Sequence, residues 1–565
     1  MGQKGSFVLL ALTILLTACN SSRSSKAQSL SNEEIRPFIK EQIDSIAHTD
    51  TTIINCEYLQ APILVLKYYS KTNYDPIWIG TNGLSALGDT LFSIIKNSYY
   101  DGLDSSQYHL TDIKILLNKS FNNKKGTGPN SAIAHLEILL TDAFFTYAAQ
   151  QYAGCIHTAS QNVGWEENIK SISLTDSLQK ATANGQIKNM LSHFVCKQPQ
   201  YIALQKILKR YIDIRNKGSW VMLPENTHLQ KGDTSQQVAL LYKHLVITGD
   251  IKENHNNSDS AFGDTLVEAV KKYQRSHGLA INGIIGDQET KELNKDINER
   301  ISQIELNMER FRWLPHNMPQ PYIMVNIAGF NLVLVDSNRR CLSMNVIVGK
   351  PYKQTPLFYA SISYITLNPW WEIPESIAMN EMLPAVKKNS NYFAKNNIKV
   401  YGGWQSDANE LSTASINWNS VSASNFKYRL RQTPGSGNSL GRYLFMFPNK
   451  YNVYLHDTPN KNLFSEPARA FSHGCMRIEK PLELAQCLLK ENTGWTKDRI
   501  MEVVASGEQA VNITLKKPVD IYICYWTSWV DDSGQISFVP DIYNYDKSLN
   551  DDLHKCSIQL NRGLR

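Results

Sequence analysis

The chain has 565 residues, too many for one hydrophobic core and enough for three or four domains at roughly 150 residues each. Its 58 Lys and Arg against 52 Asp and Glu leave a net charge of +6, spread without a basic block, which argues against a nucleic-acid partner. A composition 42% hydrophobic and 19% charged is that of a folded globular protein and excludes a disordered chain.

At the N-terminus, Lys4 precedes the apolar run FVLLALTILL (Phe7 to Leu16), too short to span a bilayer and suited to a signal-peptide core. LTAC follows, then the polar stretch NSSRSSKAQS. Together they resemble a bacterial lipobox, so residues 1–19 are expected to be a lipoprotein signal ending at Cys19, the lipidated residue. This implies a membrane partner through an N-terminal lipid anchor and a periplasm-facing place in the cell envelope. Residues 20–34 read as a Ser-rich tether. The other cysteines, at 56, 155, 196, 341, 475, 487, 524 and 556, show no CxxC pair and no metal-ligand spacing. A disulfide scaffold is a poor description of them, and no metal or other cofactor is expected; most suit buried, small apolar positions.

Residues 35–218 carry helical periodicity, as in Leu84, Leu87, Leu91, Ile94 and Ile95, and again in Ile133, Leu136, Leu140, Phe144 and Tyr147. With no catalytic cluster, this segment reads as a helical scaffold. From 228 to 296, LQKGDTSQQVALLYKHLVITGD and FGDTLVEAVKKYQRSHGLAINGIIGDQETKELN predict three helices with glycine turns. They resemble the peptidoglycan-binding module of bacterial wall enzymes through Phe262, Ala269-Val270, Tyr273-Gln274, His277-Gly278-Leu279, Asn282-Gly283 and Ile285-Gly286. Residues 297–318 read as a charged connecting helix.

Beyond Pro315 the period changes to that of strands. YIMVNIAG, FNLVLVDS and SMNVIVGK predict a β-meander, and RYLFMFPN and NVYLHDTP further strands. Between them lies a mixed, Asn- and Ser-rich stretch of about 375–435. PLELAQCLLKEN starts a helix at Pro481. Residues 506–565 read as an extension built on a hairpin with a DDSG turn.

The chemistry concentrates where His456 ends one strand and Cys475 sits in FSHGCMRIEKP. A thiol is only a few per cent ionised at neutral pH and needs a base or a positive neighbour. A histidine at one strand end can meet a cysteine in the loop after the next, and the N–H groups at Gly474 and Cys475 can face an oxyanion. A buried thiol beside a structural histidine would also fit these residues.

HDTPNKNLFSEPARAFSHGCMRIEKP resembles the signature of the L,D-transpeptidases, the YkuD-domain cysteine enzymes, with His456, Ser472, His473, Gly474, Cys475, Met476 and Arg477 filling the pattern. VIVGKPYKQTPLF and LNPWWEIPESIA agree, and PIWIGTNGLSALGDTLFSIIKNSYYDGLDSSQY resembles the scaffold opening of large members. The resemblance implies a mainly-β catalytic domain at 320–505 with a lid at about 375–435, beside the α-helical scaffold and the three-helix module. It implies a murein transpeptidase in which Cys475 attacks a tetrapeptide stem, releases D-Ala and passes the acyl group to a second stem, making a 3→3 cross-link. His456 would be the base, oriented by the Asp457 side chain or by a backbone carbonyl. Gly474, His473 and Ser472 would build the pocket; Tyr454 and Arg477 would bind substrate or serve structure, Arg477 by pairing with Glu479. Alternatives are an L,D-carboxypeptidase, D-amino-acid exchange on the same thioester, or a lipid-anchored wall-binding protein without catalysis.

Overall fold

The computed structural model of the protein describes residues 31–49, 53–54, 57–121, 129–156, 172–252, 261–405 and 407–554. The expected signal segment, Cys19, Cys56 and Cys556 lie outside them, as does most of the expected tether.

The N-terminal part is helical: α1 (Asn32–Thr49), α2 (Pro62–Lys71), α3 (Ala86–Lys96), α4 (Leu110–Phe121), α5 (Asn130–Ala153), α6 (Leu174–Ala183), α7 (Ile187–Ser192) and α8 (Pro199–Asn216). Helix α5 is apolar and long enough to cross a membrane, yet 94% of its most apolar window is buried inside the protein, which makes it a core helix. Its Glu137 is fully buried and accepts the N–H groups of Ile77 (2.7 Å) and Trp78 (3.0 Å), so the carboxylate satisfies backbone that no helix or strand serves.

Helices α9 (Gln236–Thr248), α10 (Asp264–Ser276) and α11 (Asp287–Leu293) form the three-helix unit the sequence predicts, around Val238, Leu241, Leu266, Val270, Tyr273 and Leu293. Gln274 fixes its turn: Oε1 accepts from the N–H of Asn282 (3.0 Å) and Gly283 (2.8 Å), and Nε2 donates to the Ile284 carbonyl (2.9 Å).

Helix α12 (Ile297–Arg312) is the expected connecting helix, but it is a buried strut and not a surface linker. Glu309 accepts from the N–H groups of Cys155 (2.6 Å) and Ile156 (2.9 Å), from Trp313 Nε1 (3.1 Å) and from Arg312 (3.2 Å), tying the end of α5 to the strut. A buried charge is tolerable only with such partners, because leaving one unpaired costs several kcal/mol, on the order of 3–5.

The catalytic sheet comprises β1 (Tyr322–Asn326), β2 (Asn331–Asp336), β3 (Arg339–Gly349), β4 (Phe358–Leu367), β9 (Tyr443–Met446), β10 (Leu455–His456), β11 (Ala470–Ser472), β12 (Met476–Ile478) and β13 (Val511–Cys524), with β5 to β8 in the insertion described next. Its order is β11-β3-β12-β10-β9-β4-β13-β1-β2, and a further β2–β3 pairing closes the ring. The predicted meander is β1–β2–β3. Closure leaves few open edges for unwanted pairing.

Residues 371–432 make a second, smaller sheet of β5 (Trp371–Glu372), β6 (Ile398–Tyr401), β7 (Glu410–Leu411) and β8 (Arg429–Gln432), in the order β7-β6-β8-β5. It has its own core of Ile373, Val386, Phe393, Val400, Trp418 and Leu430, so the span expected to be a lid is a folded subdomain.

The C-terminal expectation needs correction. The described part of this span, residues 506–554, is not simply an appended hairpin, because β13 lies inside the ring, parallel to β1 and antiparallel to β4. The catalytic domain therefore extends past 505. The sequence hid this because its partners lie some 150 to 200 residues away. The hairpin itself is present as β14 (Ser528–Val530) and β15 (Ile536–Phe538), with its turn closed by the Asp531 N–H to the Gln535 carbonyl at 2.9 Å. It clamps the three-helix unit: Gln535 Nε2 donates to Asp250 (3.0 Å), and Phe538 lies 5.8 Å from the His277 ring. Truncation after Gly507 should therefore abolish the cooperative thermal transition of the catalytic domain, as read by calorimetry.

Candidate active site

Two short strands position the chemistry. β10 and β12 run parallel, with Leu455 opposite Met476 and His456 opposite Arg477. Leu455 and Met476 are fully buried in the sheet's core. Side chains alternate along a strand, so Tyr454, His456, Cys475 and Arg477 share the opposite face. The sequence-predicted residues are thus brought together.

His456 is buried, and its Nδ1 lies 2.6 Å from the backbone carbonyl of Asp457. A carbonyl can only accept, so Nδ1 carries the proton and Nε2 keeps the lone pair. Burial first, and the Arg477 guanidinium second, lower this imidazole to about 3. The ring is thus held by the Asp457 carbonyl and not by the Asp457 side chain. The Asp457 carboxylate turns away, accepting the Arg442 N–H at 2.8 Å and an ion pair from Lys461. It lies so close to Gly441 (φ +63°) that a Cβ there would meet it at 2.3 Å.

Cys475 is half-buried and free. Burial raises its thiol, while the Tyr454 N–H, the Tyr454 hydroxyl and Arg477 pull it down in that order. The sulfur also lies 3.9 Å from the Asn452 carbonyl. Tyr454 itself is raised, by burial foremost and then by the sulfur, and its hydroxyl contacts Trp371 of the inserted subdomain. Burial thus acts on both groups, raising the thiol and lowering the imidazole.

The loop before the thiol is held from both sides. Ser472 is buried; its hydroxyl donates to the Cys475 carbonyl (2.5 Å) and accepts the Gly474 N–H (3.1 Å). The Gly474 N–H, one of two expected oxyanion donors, is therefore occupied. The Cys475 N–H has no acceptor among the described residues. Thr355 donates to the Gly474 carbonyl at 2.8 Å, and in a trans peptide this points the Cys475 N–H the opposite way. Gly474 has φ +121°, which a side chain would strain.

Thr355 is held in turn by Tyr543, whose hydroxyl accepts the Thr355 N–H (3.2 Å) and donates to the Gly349 carbonyl (2.6 Å). His473 Nε2 meets Glu381 Oε1 at 2.5 Å, joining the loop to the inserted subdomain. Arg477 has no ion-pair partner among the described residues, and its buried Nε is unsatisfied. The expected Glu479 partner instead accepts from the Asn345 N–H at 3.0 Å. Sequence reasoning missed Thr355, Tyr543, Glu381 and Asn452. No motif marks them; only the fold brings them to the thiol.

Residues 320–520 match the family described as the L,D-transpeptidase catalytic domain (YkuD). This chain carries an L,D-transpeptidase domain. Residues 64–208 match a scaffold domain and residues 234–293 a "putative peptidoglycan binding domain". The chain is also 36% identical over 250 residues to a "Putative L,D-transpeptidase" of Haemophilus influenzae, covering 44% of this chain and 49% of that one. The match thus spans about half of that relative's length. Two solved structures are similar: an L,D-transpeptidase from Xylanimonas cellulosilytica, at 12% identity over 53% of this chain and 98% of that one with a TM-score of 0.15, and the Ldtfm-avibactam carbamoyl enzyme, at 10% over 47% and 83% with a TM-score of 0.17. Neither adds weight to the domain match.

Among the described residues, no group of His, Cys, Asp and Glu could hold a metal ion. In this L,D-transpeptidase domain Tyr454 counteracts the rise of the thiol, so Tyr454→Phe should move iodoacetamide alkylation of Cys475 to higher pH. Peptide mass spectrometry of the Cys475 peptide across a pH series reads this directly.

Proposed function

We propose that the protein is a murein L,D-transpeptidase that forms 3→3 cross-links through a thioester on Cys475. The observation that carries this reading is the shared sheet face of His456 and Cys475, with the Asp457 carbonyl leaving His456 Nε2 as the basic nitrogen.

In the first step the thiol proton passes to His456 and the sulfur attacks the carbonyl joining the third residue of a tetrapeptide stem to its terminal D-Ala. The Cys475 N–H stabilises the oxyanion, a contribution of about 2.7–4 kcal/mol per donor in comparable sites. The C–N bond breaks, His456 returns the proton to the departing amine, and D-Ala leaves. In the second step the side-chain amine of another stem attacks the thioester and the thiolate departs.

Arg477, unpaired and beside the thiol, fits a substrate carboxylate; it also steadies the thiolate. The subdomain at residues 371–432, touching the site through Trp371 and Glu381, acts as a lid that keeps water from the thioester. The three-helix unit binds peptidoglycan, and Cys19 carries the lipid that holds the enzyme in the envelope.

Mass spectrometry of unlipidated protein with disaccharide-tetrapeptide tests the reading. Wild type should give a cross-linked dimer lacking one D-Ala; Cys475→Ala and His456→Ala should give none. Asp457→Asn should cost less than about tenfold, because the orienting group is the backbone carbonyl. Tripeptide alone from wild type would point to a carboxypeptidase, and untouched substrate with a folded, reduced wild type to a wall-binding protein.

A further inference from the structure

The second step has a proton balance that one histidine does not meet. The acceptor amine of a diamino acid is an ammonium at neutral pH and carries three hydrogens, of which the new amide keeps one. Two protons must leave. His456 can take one and return it to the departing thiolate, but it holds that proton until the C–S bond breaks and cannot take the other meanwhile. The other needs a second base within reach of the same carbon.

His473 is two residues before Cys475, and its Nε2 lies 2.5 Å from Glu381 Oε1. A carboxylate accepts, so Nε2 carries the proton and Nδ1 keeps its lone pair. Nδ1 has no hydrogen-bond partner among the described residues. The pair is open to solvent, with side-chain exposures of 29% for His473 and 48% for Glu381. His456 is in the opposite situation, enclosed and beside a guanidinium, where a second positive charge is costly. A carboxylate hydrogen-bonded to one ring nitrogen fixes the tautomer and the orientation of the ring. Glu381 belongs to a single π-helical turn, Ala378–Met382, between Glu375–Ile377 and Leu383–Lys388, a deformation common at functional sites.

We propose that His473, positioned by Glu381, is the base that deprotonates the acceptor's ammonium in the second step. The inference rests on the transpeptidase reading above. An N–H bond of the ammonium breaks and its proton moves to His473 Nδ1. The freed lone pair forms the C–N bond as the carbonyl π pair moves to oxygen. The second proton passes from nitrogen to His456, the oxyanion reforms the carbonyl, the C–S bond breaks, and His456 protonates the thiolate. His473 then releases its proton to water. His473 is the catalytic residue of this transfer, and Glu381 acts through it.

The test uses the full chain with tetrapeptide donor and two competing nucleophiles at mildly alkaline pH: the stem peptide itself, an ammonium, and hydroxylamine, which is neutral there and has only one proton to lose. The ratio of cross-linked dimer to hydroxamate is read by mass spectrometry for wild type, His473→Gln and Glu381→Gln. General-base catalysis contributes roughly 100-fold or more, so the ratio should fall at least about tenfold in His473→Gln, and less but in the same direction in Glu381→Gln. A ratio equal to wild type, including one in which both products fall in parallel, would overturn the proposal and leave a structural role. Wild type that releases no D-Ala with either nucleophile would instead sink the transpeptidase reading, and this inference with it.

Discussion

The parallel pairing of Leu455-His456 with Met476-Arg477 is the contact on which the rest of this structure depends. It is four residues wide, and one face of it, Leu455 and Met476, is buried completely. Because side chains alternate, a slip of one residue would turn His456 into the sheet's apolar core and Leu455 to the cleft. The core thus enforces the register of the site, and burying two apolar side chains also sets the relation between thiol and imidazole. Flanking pairs extend the constraint: β9 beside β10, and β3 beside β12.

Much of this could be read from the chain. His456 and the run Ser472 to Arg477 identified the site, and Tyr273-Gln274 with Asn282-Gly283 identified the three-helix unit, because motifs and turns are local features. What escaped was set by long-range packing. Tyr543 and Thr355 are ordinary residues until the fold links them to Gly474, and no motif sets Glu381 apart within the inserted subdomain. The strand β13 was missed because a strand's partners are not encoded near it. The Asp457 side chain was a reasonable candidate to orient His456, yet its own backbone oxygen lies nearer the ring and the carboxylate is drawn to Arg442 and Lys461.

The cysteines show the same division. Cys196 and Cys524 are buried as their composition suggests, whereas Cys341 is exposed and Cys155, Cys475 and Cys487 lie between. Among the described cysteines, only Cys475 combines partial access with a tyrosine hydroxyl and a guanidinium acting on the sulfur.

The clamp between the hairpin and the three-helix unit has a mechanical consequence. A module on a loose tether raises the local concentration of whatever it grips, over a range set by linker length. Here Gln535 to Asp250, Phe538 beside His277 and the buried strut α12 remove that play. A polymer seated on the unit would meet the thiol at one distance and one angle. The clamp thus fixes the geometry between the unit and the sheet that carries the thiol.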